Sequence, residues 1–309
     1  MSPGNNADTA LLARSITRSG SIQTYYTAKL VVDKDLVDDF FRAYAYFRWI
    51  DDVIDIHAKS DDERVEFIRD QSQLIEDLYA KKSMSEMVPE EEILRDLISN
   101  DRGENSGLQS FIRNMFAIIE FDAHRKGKLV KQQELDWYVS TLGKSVTDGL
   151  LYFIGNGCEY PDTGNRYLAG IAAHISHLLR DTIQDNRDGF FNIPGEYLEA
   201  KGIEREDLDH PAYKAWVKER VATAREMFSE GKAYLDSLPI LRTKIAGYWY
   251  SARFEVVLDT IEQDGYRIRE QYHERQQIRT WLKIIWLGIT LTVKHGLKLD
   301  HPPAQARSG

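Results

Sequence analysis

Disulfide chemistry is the first thing this sequence lacks: Cys158 is its one cysteine, so neither an internal bridge nor a cysteine-built zinc centre can form. A reducing compartment is the expected setting, with Cys158 a small packed residue. Positive charge is also in deficit, 40 Lys and Arg against 49 Asp and Glu for a net −9, which argues against a broad footprint on nucleic acid. Long apolar runs are absent. The most apolar stretch, Ile284 to Val293 between Lys283 and Lys294, is ten residues, too short to span a membrane. Met1 to Gly20 holds no apolar core of signal-peptide length and is expected to be a flexible end, as is the tail at 297–309. Arg14 and Arg18 among Ser and Thr give it only a faint transit-peptide texture. These absences predict a soluble, cytoplasmic protein.

Proline and glycine are scarce as well, 8 and 20 in 309 residues, and most intervals between them outrun a strand. No alternating strand pattern, repeat, heptad run or low-complexity linker appears, so one all-α domain over 21–296 is expected. With 42% hydrophobic and 11% aromatic residues, the chain can bury an ordered core. Leu36, Phe40, Tyr44 and Phe47 recur at helical spacing between Asp35 and His57 and predict an inward stripe. Further helices are expected at 62–81, 87–99, 107–126, 131–155, 165–186, 210–235, 241–263 and 277–295. Asn186–Gly202, broken by Gly189, Pro194 and Gly195, reads as an ordered loop beside a site.

Two acidic pairs carry the chemistry. At about 100° per residue Asp51 falls about 20° from Phe40, Asp55 about 60° and Arg48 about 80°, which puts the acids on the predicted core stripe. Carboxylates four apart on a helix repel, and buried ones need a partner, so a hard divalent cation between them is the expected answer. Asp181 and Asp185 repeat the spacing after Arg180, and His174 and His177 fall on the same face. Mg²⁺ favours oxygen ligands completed by substrate phosphates, and Arg48 and Arg180 would close a diphosphate clamp. Solvated acidic patches near helix ends are the plainer alternative.

These residues carry a resemblance. Tyr44–Asp55, with Arg48, Asp51, Asp52 and Asp55, and Leu178–Asp185, with Arg180, Asp181 and Asp185, resemble the two aspartate motifs of the squalene/phytoene synthase family. Phe190–Pro194 with Tyr197-Leu198 is similar to the family's loop after the second motif, and Arg253 through Tyr266 to its late helix. The likeness runs from about residue 21 to 296. It implies an isoprenoid synthase-type helical bundle around a central apolar cavity, with Asp51, Asp55, Asp181 and Asp185 holding Mg²⁺ and a prenyl diphosphate, farnesyl or geranylgeranyl. Arg48 and Arg180 would contact the diphosphate, and Tyr44 and Tyr266 would orient the chain. Two C15 or C20 diphosphates would condense through a cyclopropyl-carbinyl diphosphate to a squalene- or phytoene-like product. A cyclase or half-reaction enzyme on the same fold, and a non-catalytic relative, are the rival classes.

The departures border the same residues. His177 stands where the family usually has Asn, His174 where Gln is common, Gln184 replaces a common Glu, and Thr24-Tyr25 occupies a usual Ser-Phe position. Lys144 alters the small-residue run of Val139–Thr147. His177 and His174 read either as core histidines with satisfied hydrogen bonds or, for His177, as a group that ligates the metal or bonds the diphosphate. Tyr25, His177 and Gln184 are thus candidate substrate contacts. Gly155-Asn156-Gly157 lacks the third glycine and helix of a dinucleotide fingerprint, so NADPH use has no motif behind it, although a reductive member of the family would not need one. The late stripe Trp281, Ile284, Ile285 and Leu287 with Arg279 and Lys283 fits core packing or peripheral contact with a membrane surface.

Overall fold

In a computed structural model describing residues 6–57, 60–84, 86–101, 103–155 and 157–299, twelve α-helices follow one another and no strand occurs among the described residues. The all-α expectation holds. Where one domain was expected, the chain divides into two compact units, residues 1–158 with 188–190, and residues 159–187 with 191–309.

In the first unit the helices are α1 (Asn6–Gly20), α2 (Ile22–Val31), α3 (Val37–Asp52), α4 (Asp61–Tyr79), α5 (Pro89–Ser99), α6 (Gly107–Arg125) and α7 (Gln132–Phe153). Their starts follow from local chemistry. Ser21, Ser60 and Ser106 accept hydrogen bonds from the backbone N–H of Thr24, Glu63 and Gln109, satisfying donors that a helix start leaves unpaired. Pro89 opens α5, where its missing N–H costs nothing. Phe41, Tyr46 and Ile50 of α3 are fully buried with Ile93, Leu94 and Leu97 of α5 and Leu108 and Ile112 of α6, each such side chain contributing about 1.5–3 kcal/mol.

The expectation of a loose N-terminus is corrected: residues 6–20 form α1, packed on α3. Its inward side is small and polar, Thr9, Ala10, Ala13 and Thr17, so no large apolar stripe announced it. Buried Arg42 of α3 donates to Asp39 at 2.7 Å and to the Asn6 carbonyl at 2.6 Å, while the Thr9 hydroxyl donates to Asp96 at 2.7 Å. A buried guanidinium left unpaired would be strongly destabilising, so α1 completes the core. Cys158 is also corrected, being exposed rather than packed.

In the second unit the helices are α8 (Leu168–Asp188, whose last residue groups with the first unit), α9 (Gly195–Lys201), α10 (Pro211–Ser237), α11 (Leu241–Gln263) and α12 (Ile278–Leu299). Tyr213, Val217, Val221 and Phe228 of α10 and Val257, Leu258 and Ile261 of α11 are buried. Gly231 permits close approach of α10 to α8, because a Cβ there would lie 2.4 Å from the backbone nitrogen of Ala169. The expected loop at 186–202 contains α9, ended by Gly202 in the left-handed region at φ 61°. The predicted tail begins inside α12, and residues 300–309 lie outside the described residues.

Candidate active site

The first acidic cluster stands at the C-terminal end of α3. Arg48 and Asp51 share a face with Phe40 and Tyr44, as the spacing predicts, but the burial differs. Phe40 and Tyr44 are half-buried, Arg48 and Asp51 exposed, and the packed residues are Phe41, Ala45, Tyr46 and Ile50. The core-stripe placement of the acids is therefore corrected: the stripe leaves the core toward its charged end. Arg48 pairs with Asp52 at 2.7 Å, four residues on.

Directly after α3 the backbone widens into a π-turn, Val53–His57. A π-turn advances by fewer degrees per residue than an α-helix, so the ideal angle for Asp55 does not apply. Asp55 falls in this turn, and its side chain lies outside the described residues. A helix C-terminus carries partial negative charge and favours cations, yet α3 has no basic residue in its last turn. The acids there work against the helix.

Tyr25 belongs to this unit. Its ring stacks on Phe41 at 5.1 Å, and the Lys29 ammonium lies 4.3 Å from its centroid. Hydrogen bonding to Lys29 holds the Tyr25 phenol below its ordinary value. The Tyr44 hydroxyl lies against Gly20, 3.2 Å from where a Cβ would stand.

The second cluster occupies the last turns of α8. Arg180 grips Asp181 with two parallel hydrogen bonds, one of them Nε to Oδ1 at 2.5 Å, and His177 Nε2 lies 2.7 Å from Asp181 Oδ2. Partial burial pushes the Asp181 carboxyl up, but the hydrogen bonds from Arg180 and His177 outweigh it and hold the group well below the usual carboxylate range. Asp185 accepts a hydrogen bond from Asn192 Nδ2 at 2.6 Å. Asn192 is itself buried in the chain just beyond Gly189. Gln184 is exposed.

The histidines separate. His174 is buried, its Nε2 3.2 Å from the Tyr250 hydroxyl and its Nδ1 without a partner, so the satisfied core histidine is half right. Burial, helped by His177, drives its pKa down to about 3 and keeps the ring neutral. His177 is half-exposed and bonds the acid rather than sitting in a core. Tyr250 and Phe254 of α11 complete an aromatic group, their rings 5.1 Å apart and Phe254 6.1 Å from His177. Tyr266 follows α11 at φ 66°, a region costly for an aromatic residue. The Lys218 ammonium lies 5.6 Å from its ring.

Among the described residues no group of three or more His, Cys, Asp or Glu converges as a ready metal centre. Within the second unit, Arg180, Asp181, His177 and Asp185 come together on α8. The sequence reading missed Asn192, Tyr250 and Phe254. Asn192 lay in the quoted Phe190–Pro194 segment, but its return to Asp185 depends on the turn at Gly189 (φ 88°).

Comparisons with known proteins bear on these helices. The family described as Squalene/phytoene synthase matches residues 19–281. A phytoene synthase of Thermus thermophilus is 28% identical over 122 residues, 38% of this chain and 40% of that protein. A 15-cis-phytoene synthase of Synechococcus elongatus is 26% identical over 137 residues, 42% of this chain and 43% of that protein. The match thus spans under half the length of these curated relatives. Among solved structures, the squalene synthase HpnC from Alicyclobacillus acidocaldarius aligns with a TM-score of 0.70 at 18% identity, over 85% of this chain and 97% of that one. A dehydrosqualene synthase in complex with a ligand gives 0.66 at 15%, over 94% and 97%. Likeness at such identities speaks for the fold.

Proposed function

The chain belongs to the squalene/phytoene synthase family, and from that premise we propose that it condenses two prenyl diphosphates head to head in a Mg²⁺-dependent reaction. The substrates are C15 or C20 allylic diphosphates, farnesyl or geranylgeranyl. They join through a cyclopropyl-carbinyl diphosphate that rearranges to a squalene- or phytoene-like hydrocarbon.

The donor chemistry fits the ion. Asp51, Asp181 and Asp185 present hard carboxylate oxygens, the ligands Mg²⁺ prefers, at helix ends that gain from added positive charge. In this reading Asp51 and Asp55, and likewise Asp181 and Asp185, would supply oxygen ligands to Mg²⁺ ions. Bound there, Mg²⁺ neutralises charge developing on the departing diphosphate. Arg48 and Arg180 bind the diphosphate oxygens, Arg180 offering two parallel donors of the geometry it already shows toward Asp181. Tyr44 and Tyr266 orient the prenyl chains, with Tyr25 and Gln184 as further contacts. Aromatic faces stabilise an allylic cation without trapping it, as water would. His177 acts on Asp181, holding it ionised and oriented.

The Asp181 cluster carries the reading. On α8 a carboxylate, a guanidinium and an imidazole stand within hydrogen-bond reach of one another, one turn before Asp185, which brings together the donor types that a cation and a diphosphate need. To test it, purified protein is incubated with farnesyl or geranylgeranyl diphosphate and Mg²⁺, with and without NADPH, and the organic extract analysed by mass spectrometry. A C30 or C40 hydrocarbon or cyclopropyl diphosphate is expected, and its NADPH dependence shows whether reduction is part of the reaction. C15 or C20 products would replace the proposal with a cyclase, and no Mg²⁺-dependent consumption would end it.

A further inference from the structure

One face of α12 is unlike any other surface of the second unit. Its inward side is set by Thr280, Gly288 and Leu291, all buried, with Gly288 so close to Trp249 that a Cβ would lie 3.1 Å from the ring. At about 100° per residue, Leu282, Ile285, Trp286, Ile289, Val293 and Leu297 project on the opposite side. They are 49–69% exposed. The stripe expected from Trp281, Ile284, Ile285 and Leu287 is therefore rotated: Leu287 is half-buried, and the side chains of Trp281 and Ile284 lie outside the described residues. A run of six large apolar side chains in water is far from the scattered exposure of an ordinary surface.

Charge identifies what covers it. Within a chain of net −9, the 22 residues of α12 contain no Asp or Glu but hold Arg279, Lys283, Lys294 and Lys298. Lys283 and Lys294 are exposed, flank the apolar face about a quarter turn away, and have no acidic partner among the described residues. A second copy of the chain pairing through the same helix would bring like charges together, which opposes association. An anionic lipid surface meets both halves of the pattern: apolar side chains enter the acyl boundary while the lysines reach the headgroups. No described helix is long and apolar enough to cross a bilayer, so the helix would lie in the interface plane. We infer that α12 docks this protein on anionic membranes through the Leu282–Leu297 face.

The test is co-sedimentation of the full chain, without substrate, with vesicles of phosphatidylcholine alone or mixed with phosphatidylglycerol. Binding to the mixed vesicles is expected, weakening as salt rises from about 0.1 M to about 0.5 M. Trp286→Glu with Ile289→Glu should cut partitioning about tenfold or more. Lys283→Gln with Lys294→Gln, which leaves the apolar face whole, should cut it less and flatten the salt dependence. Circular dichroism of both variants confirms that they fold. The inference is overturned if the wild type ignores both vesicle types, if folded Trp286→Glu/Ile289→Glu protein binds as before, or if that variant instead dissolves a dimer seen by sedimentation equilibrium.

Discussion

The two acidic clusters share a spacing and differ in nearly everything around it. On α3, Asp51 is exposed, Arg48 is drawn to Asp52, and the backbone leaves α geometry at once for a π-turn. On α8, Asp181 is held by Arg180 and His177 and Asp185 by Asn192. A motif fixes which residues share a face, whereas the surroundings decide how far each acid is buried and which groups hold it. The second cluster is pre-organised by hydrogen bonds made within its own unit, whereas the first stands where its helix gives way to a wider turn.

The largest effect should come from removing either acid. Asp51→Asn and Asp181→Asn should each lower Mg²⁺-dependent prenyl diphosphate turnover about a hundredfold or more. Near-normal turnover of either variant at saturating Mg²⁺ would break the symmetry of role. Next, Asn192→Ala should cost about 10–100-fold in kcat or in apparent Mg²⁺ affinity, the usual effect of losing a group that orients a ligand. An unchanged Mg²⁺ titration would show that Asp185 needs no such hold.

Two stability measurements sharpen the contrast further. Gly231→Ala should destabilise by about 1–3 kcal/mol, since the new methyl meets backbone at 2.4 Å, whereas at Gly149 of the first unit a Cβ meets the Phe111 side chain at 2.9 Å. Gly149→Ala should therefore be milder, and equal losses in denaturant melts would count against that reading. His174 titrates near its ordinary 6.5 when unfolded and near 3 when folded, so the unfolded chain binds the extra proton between those values. Stability must then fall as pH drops through that window, and His174→Gln should make the slope shallower. The smallest effect belongs to the exposed Arg48–Asp52 pair: Arg48→Gln should change stability by less than about 0.5 kcal/mol while still impairing turnover.

Much of this was legible in advance. Nine helices were placed from the intervals between breakers, and the shared face of Phe40, Tyr44, Arg48 and Asp51 followed from the helical period. What escaped was set by packing. Residues Thr9 to Thr17 bury small groups, and the worth of α1 lies in satisfying Arg42, which no apolar pattern reports. The outward drift of Asp51 escaped because the buried face of α3 runs through Phe41, Ala45 and Ile50, so that the stripe meets it at Phe47 while Phe40 and Tyr44 are half-buried. Asn192 escaped because contact seven residues away from Asp185 is created by a turn, not by a period. On α12 the basic flank was visible, while the apolar face was displaced by a fraction of a turn, enough to exchange an inner residue such as Leu287 for an outer one such as Trp286.

On the proposed reading, the Arg180, Asp181 and His177 triangle would also couple the loading of anion and cation. Both oxygens of Asp181 are engaged by the chain itself, so a diphosphate that drew Arg180 toward itself would free Oδ1 while His177 still held Oδ2. Reciprocity of linked equilibria requires the converse: engagement of Asp181 by a cation frees Arg180 for the diphosphate. Anion and cation would then load as a cooperative pair, each a weak visitor alone. On that reading the protein would bind magnesium or a diphosphate only weakly when each came alone, and both firmly when they arrived together.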